Sequence, residues 1–186
     1  MRTDRSRVIY SELINGRFIN KTMFRNGLLV PNPLFDELAD ENNREEYKAL
    51  YENIGYELKQ IGDSFFLNEV AVEERQLSNV AAHIQGLLVV LTRGITLEQL
   101  STAIIVDAEA GLARMYIEKF SANEDFQRIL KALGLRYALD KEVENVLIVR
   151  NIAYWNDRDN LVLTEAGEAL LEHMLLFVSG EQDGVD

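Results

Sequence analysis

A mainly α-helical chain with small β-hairpins, an α+β fold, is what this 186-residue sequence predicts. Two observations carry the prediction. The first is a duplicated arrangement: an amphipathic helix stopped by glycine, then two short apolar runs around a polar turn. In the first copy Tyr47, Leu50, Tyr51 and Ile54 recur at helical spacing before Gly55, and Tyr56, Leu58 and Ile61 lead through Gly62-Asp63 into Phe65-Phe66-Leu67. In the second, Phe126, Ile129, Leu130 and Leu133 precede Gly134, Val146 to Trp155 read as extended, Asn156 to Asn160 turn, and Leu161-Val162-Leu163 lead into a final helix. Glycine ends helices because it adopts the left-handed conformation without a Cβ clash, and a polar turn between apolar runs marks a hairpin. A helix followed by such a hairpin is the second half of a winged helix, so the duplication predicts two winged-helix domains in tandem. The second observation is size, since 186 residues at 47% apolar content hold two cores of about 80 to 90 residues each. The expected division is residues 1–72, residues 73–178 and a disordered acidic tail at residues 179–186.

The first helix is expected over Arg5 to Ile14, with Val8, Ile9, Leu13 and Tyr10 on one side and Asn15-Gly16 as its stop. Arg17 to Asn20 reads as extended. Gly27 to Pro33 reads as irregular, because Pro31 and Pro33 cannot continue a helix or a central strand. Pro33 suits a helix start, with Asn32 as cap and Leu34, Phe35 and Leu38 within, and Asp40 to Asn43 break the chain before the helix of the first copy. Residues 69–79 join the halves. From Gln76 to Thr92 a helix carries Leu77, Val80, Ile84, Leu87, Leu88 and Leu91 on its inner stripe, yet Gly86 to Leu91 is apolar on every face. Burial between the domains or against a second subunit explains that equally well. Leu97 to Val106 and Ala108 to Phe120 are further apolar segments, the latter with Leu112, Met115, Tyr116 and Lys119 at helical spacing. Thr164 caps the last helix, whose far half is apolar nearly all round. Leu170, Met174 and Phe177 fill a core there, while Leu171, Leu175, Leu176 and Val178 need another surface, for which a dimer partner is the simplest source.

Composition excludes several classes. Without cysteine there are no disulfides, thiolate nucleophiles or cysteine-based zinc sites. No apolar run long enough to span a bilayer stands out, and Met1-Arg-Thr-Asp-Arg lacks the apolar stretch of a secretory signal, so a cytoplasmic protein without a membrane partner is expected. The only histidines, His83 and His173, sit on apolar helices without the partners of a zinc site or a hydrolase triad. Neither common phosphate loop occurs. The carboxylate pairs Asp107/Glu109 and Glu73/Glu74 are ordinary in so acidic a chain. The expectation is no enzyme, no cofactor and no metal.

What remains are surfaces. The net charge of −12 opposes duplex DNA, whose phosphates need a basic face. The charge is uneven: residues 1–30 hold six Lys/Arg against Asp4 and Glu12. In the second copy Arg128, Lys131, Arg136, Arg150 and Arg158 are candidate phosphate contacts, countered by seven carboxylates from Glu124 to Asp159. DNA contact is therefore expected to be weak and salt-sensitive. Neighbouring residues on a strand face opposite ways, so one of Phe65/Phe66 and one of Tyr154/Trp155 should point outward, and these four are the expected partner-binding anchors.

Three segments, Tyr10-Ser-Glu-Leu-Ile-Asn-Gly-Arg-Phe-Ile-Asn, Asn32-Pro-Leu-Phe-Asp-Glu-Leu, and Tyr51-Glu-Asn-Ile-Gly-Tyr-Glu-Leu with Phe65-Phe66-Leu67, carry a family likeness. From about Val8 to Val178 the chain resembles the small non-SMC subunit of bacterial condensins of the Muk and Mks type, a family of kleisin-interacting tandem winged-helix elements. The resemblance implies a nucleoid-associated homodimer that binds a kleisin subunit and, through it, a long coiled-coil SMC-type ATPase that organises or segregates DNA, or excludes plasmids in related defence systems. The length favours the Mks or plasmid-defence branch. The alternative of another class is a dimeric winged-helix transcription regulator that binds an operator directly.

Overall fold

The computed structural model describes residues 3–70 and 79–179, and the side chains of 4–70 and 79–176. The expected domain boundary at 72/73, Leu77 and the acidic tail beyond Ser179 lie outside the described residues, as does the side chain of Val178. The fold is α+β, as the sequence predicts.

In the first half, helix α1 (Thr3–Ile14) leads into a short strand β1 (Ile19–Asn20), a hairpin of β2 (Thr22–Arg25) and β3 (Leu28–Pro31), helices α2 (Pro33–Ala39) and α3 (Glu41–Glu52), and a longer hairpin of β4 (Tyr56–Ile61) and β5 (Ser64–Glu69). Asn32 caps α2 by accepting from the Leu34 N–H at 3.1 Å, with Pro33 in the first turn. Asp40 caps α3 by accepting from the N–H groups of Asn42 and Asn43, so this helix starts earlier than its apolar spacing indicates. Its buried face is Tyr47 and Tyr51, whereas Leu50 and Ile54 are exposed. The antiparallel sheet has the order β1-β5-β4, with Ile19 opposite Phe65 and Leu58 opposite Leu67. Ile9, Leu13, Phe35, Leu38, Tyr47, Tyr51 and Phe65 form the core of this half.

The β2–β3 hairpin differs from the expected irregular segment. Asn26 and Gly27 both have positive φ, 52° and 81°, which is the two-residue turn that matches strand twist. Pro31 is tolerated because it ends β3, where no partner needs its missing N–H.

The second half runs α4 (Asn79–Leu97), a 3-10 turn (Thr102–Ile105), strand β6 (Leu112–Ala113), α5 (Arg114–Ser121), α6 (Glu124–Ala132), α7 (Leu139–Glu142), a π-helical turn (Val143–Ile148), strands β7 (Ala153–Trp155) and β8 (Asn160–Leu163), and α8 (Glu165–Ser179). Its sheet has the order β6-β8-β7, the same first-third-second arrangement as in the first half. Leu112 lies in a strand, and α5 buries Ile117 and Phe120 while Met115 is exposed.

The helix before the second hairpin is not the expected one. Gly134 does end α6, at φ 80°, but α7 and the π turn follow before β7, so Val146 to Ile148 are helical rather than extended. Leu139, Val143, Val146 and Leu147 repeat at helical spacing and are buried in the main core, which overrides the β preference of a Val/Ile-rich run. The wide turn closes with a bond from the Val149 N–H to the Glu144 carbonyl.

Helix α4 is surrounded within its own half. Leu87, Val90, Leu91 and Ile95 are fully buried, and Gly94 lies so close to Phe120 that a Cβ there would meet the ring at 2.5 Å. This accounts for a stretch apolar on every face without a second subunit. Contrary to expectation, α4 is long and apolar enough by length and composition to cross a membrane. Its residues instead form the centre of the larger core.

Candidate interaction surfaces

The first hairpin places its two phenylalanines on opposite faces, as strand geometry requires. Phe65 is buried in the first core, its ring 5.2 Å from Phe35. Phe66 faces the other way and stacks on Phe18 at 5.2 Å, and both pack against the second half. The expected outward anchor is thus partly covered by the chain itself. The second hairpin behaves alike. Tyr154 stacks on Phe24 of β2 at 4.7 Å, and Trp155 packs on the core under the Arg114 guanidinium, 4.0 Å from its centroid. Arg114 also donates to Asp159 at 2.8 Å, which holds that carboxyl below its ordinary range. Phe66 and Tyr154 therefore contact the other half of the molecule, while Phe65 and Trp155 pack on the core of their own half, which strand alternation alone does not reveal.

Two asparagines fasten the halves together. Asn20, 4% exposed, donates to the Asn151 carbonyl at 2.7 Å, while its amide oxygen accepts from Ser64 Oγ at 2.7 Å and from the Ala166 N–H at 3.1 Å. Asn151 returns a bond to the Phe18 carbonyl at 2.9 Å, and the Phe18 N–H donates to the Arg150 carbonyl at 2.9 Å. Thr22 adds two bonds to Glu165 Oε1, from its N–H and its hydroxyl. The sequence reading missed this junction. Asn20 stands beside Lys21 and Thr22, and Asn151 beside Arg150, so neither asparagine is marked in the sequence as a buried junction residue.

On α8, Thr164 donates to the Asn151 carbonyl and accepts from the Gly167 N–H at 3.4 Å, so the expected cap is present in a long form. Leu171 is buried in the chain's own core, because it lies one turn after the buried Gly167 on the same face of α8. It belongs to the core rather than to the expected dimer face. Leu175 and Leu176 are 54% and 55% exposed.

The basic residues are dispersed. Arg5, Arg17 and Lys21 of the basic front end pair with Glu37, Glu12 and Asp63. Arg128 is paired within α6 with Glu124 and Asp125, Lys131 is exposed, and Arg158 reaches the Glu109 carbonyl. Only Arg136 and Arg150 of the five candidate phosphate contacts are brought together, in a cleft with His83, Tyr137 and Glu142. Burial lowers the pKa of Arg150, whose Nη1 donates to the carbonyls of Asn145 and Val146. His83 Nε2 bonds the Leu133 carbonyl at 2.8 Å, and His173 lies exposed on α8. Among the described residues no group of three or more His, Asp or Glu is placed to hold a metal ion.

No curated protein matches the chain. A family model does, described as condensin complex protein MksE, over residues 4–175. That span takes in both sheets, the asparagine junction and most of α8, and the chain belongs to the MksE family of condensin complex proteins.

Proposed function

We propose that this chain is the non-catalytic accessory subunit of an SMC–kleisin complex: a homodimer of tandem winged-helix protomers that binds the kleisin and, through it, the SMC-type ATPase. It acts at the nucleoid in chromosome organisation and segregation or in the exclusion of plasmids. The family match over residues 4–175 carries the reading. Two sheets of the same first-third-second order, each with helices between its first and second strands, support the tandem winged-helix assignment. The exposed Leu175 and Leu176 support an interface at the end of α8.

The mechanism is differential binding. A subunit that holds the kleisin better in one state of the ring than another shifts the population toward that state by its difference in affinity. A protomer whose halves are fastened by buried hydrogen bonds presents its kleisin contacts as one rigid body, which suits that role. Direct operator binding is disfavoured, because Arg128 faces two carboxylates on its own helix and the chain carries a net charge of −12. Affinity purification of the tagged protein from its native cells, with mass spectrometry of what is retained, tests the reading. A kleisin and a long coiled-coil ATPase are expected. Recovery of the chain alone with promoter DNA would replace the reading with the transcription regulator.

A further inference from the structure

Beside the asparagine junction a cleft of about 330 Å³ opens between the start of α4, the turn joining α6 to α7, and the π turn. Its lining holds two arginines and one carboxylate. Val80, Leu135 and Val146 supply apolar wall, Tyr137 stands at the rim at 68% exposure, and Arg136 and Arg150 supply two guanidinium groups. The carboxylate in the lining, Glu142, is buried and turned to the backbone: its Oε1 accepts from the N–H groups of Arg136 and Tyr137, both at 2.8 Å. It therefore shapes the turn that carries Arg136 instead of pairing with either guanidinium.

No ion pair joins Arg136 or Arg150 to a carboxylate among the described residues, and both line the same cleft. On a chain of net charge −12, two such cations beside an apolar wall select a ligand that is both anionic and aliphatic. A nucleic-acid backbone matches the charge but leaves the apolar wall without a partner. We propose that this cleft docks an acidic-aliphatic segment of the kleisin, with an aliphatic side chain against Val80, Leu135 and Val146 and a neighbouring carboxylate on Arg136 and Arg150. The inference rests on the kleisin-binding reading and adds to it where the peptide sits and what its sequence must contain.

The test uses the full-length protein, the kleisin that co-purifies with it, and short fluorescein-labelled peptides tiled along that kleisin. Arg136→Glu is the first variant, because the side chain is exposed and only its backbone N–H serves the fold. Arg136→Lys is the second, with thermal melting to confirm that both stay folded. The expected result is that peptides pairing Leu, Ile or Val with Asp or Glu bind best and lose about tenfold or more in affinity to Arg136→Glu. Arg136→Lys should keep most of the affinity, and a peptide with its acids changed to Lys should bind Arg136→Glu better than it binds the parent. Unchanged affinity of the kleisin and of every peptide for Arg136→Glu overturns the docking site while the accessory reading stands. Absence of any kleisin in the purification overturns the reading itself. Loss of duplex-DNA retention in Arg136→Glu with kleisin binding intact makes the cleft a phosphate site and also overturns the proposal.

Discussion

Asn20 is the residue on which the two halves depend most visibly. It is buried, and its side chain makes three bonds, to Asn151, Ser64 and Ala166, that alanine would leave unmade. Stranded buried donors cost more than the bond itself contributes, so Asn20→Ala should lose about 3 kcal/mol, read from the shift in urea midpoint. Tyr51 is the opposite case, a fully buried ring whose hydroxyl has no hydrogen-bond partner among the described residues. Tyr51→Phe should raise stability by about 1 kcal/mol, a melting shift of roughly 2 to 4 °C. Burial holds Tyr51 and Tyr47 above the ordinary phenol value of 10.0, so the folded protein keeps them neutral where the unfolded chain ionises them. Stability is then intact below pH 10 and falls as pH rises past it. The gain from Tyr51→Phe should accordingly be larger at about pH 11 than at pH 8, and an equal gain at both would remove the titration argument.

At the scale of elements, what was legible in the sequence was whatever local chemistry determines. Asn32-Pro33 starts α2, Gly55 and Gly134 stop helices at positive φ, and Gly62-Asp63 turns the first hairpin. What was illegible depends on the other half of the molecule. Residues 143–148 have strand-like composition but become helical because Val143 and Leu147 reach the core around α4. Leu50 and Ile54 share the spacing of Tyr47 and Tyr51, yet tertiary packing buries only the tyrosines. The glycines divide in the same manner. Gly134 stands in open space with φ 80°, so Gly134→Ala should cost only the local strain, about 1 kcal/mol. Gly167 is where α8 meets the root of the second hairpin: a Cβ there would collide with the Ile152 carbonyl oxygen and press on Leu163 at 3.0 Å. Gly167→Ala should therefore cost about 3 kcal/mol by displacing α8, and chemical denaturation of the two variants side by side checks the contrast.

For the whole molecule the decisive property is how much apolar and charged surface the protomer leaves for others after serving itself. Phe66 and Tyr154 are partly taken up by the junction, Phe65 packs in the first core and Trp155 on the second, and Arg5, Arg17 and Lys21 of the basic front end pair with Glu37, Glu12 and Asp63, so less of each is left for a partner. The end of α8 is different, because Leu175 and Leu176 are more than half exposed while Leu171, one turn earlier, is buried. Adjacent leucines of that exposure on one helix are the kind of face a two-fold dimer covers, since each copy presents the same patch to the other. The distinction separates interface from core by experiment. Leu171→Asp places a carboxylate inside the core and should unfold the chain, a loss of the circular-dichroism melting transition. Leu175→Asp together with Leu176→Asp should leave the melt nearly unchanged and convert a dimer into a monomer in sedimentation. A double variant that remains dimeric would place the interface elsewhere, and one that unfolds would assign this face to the protomer's own core.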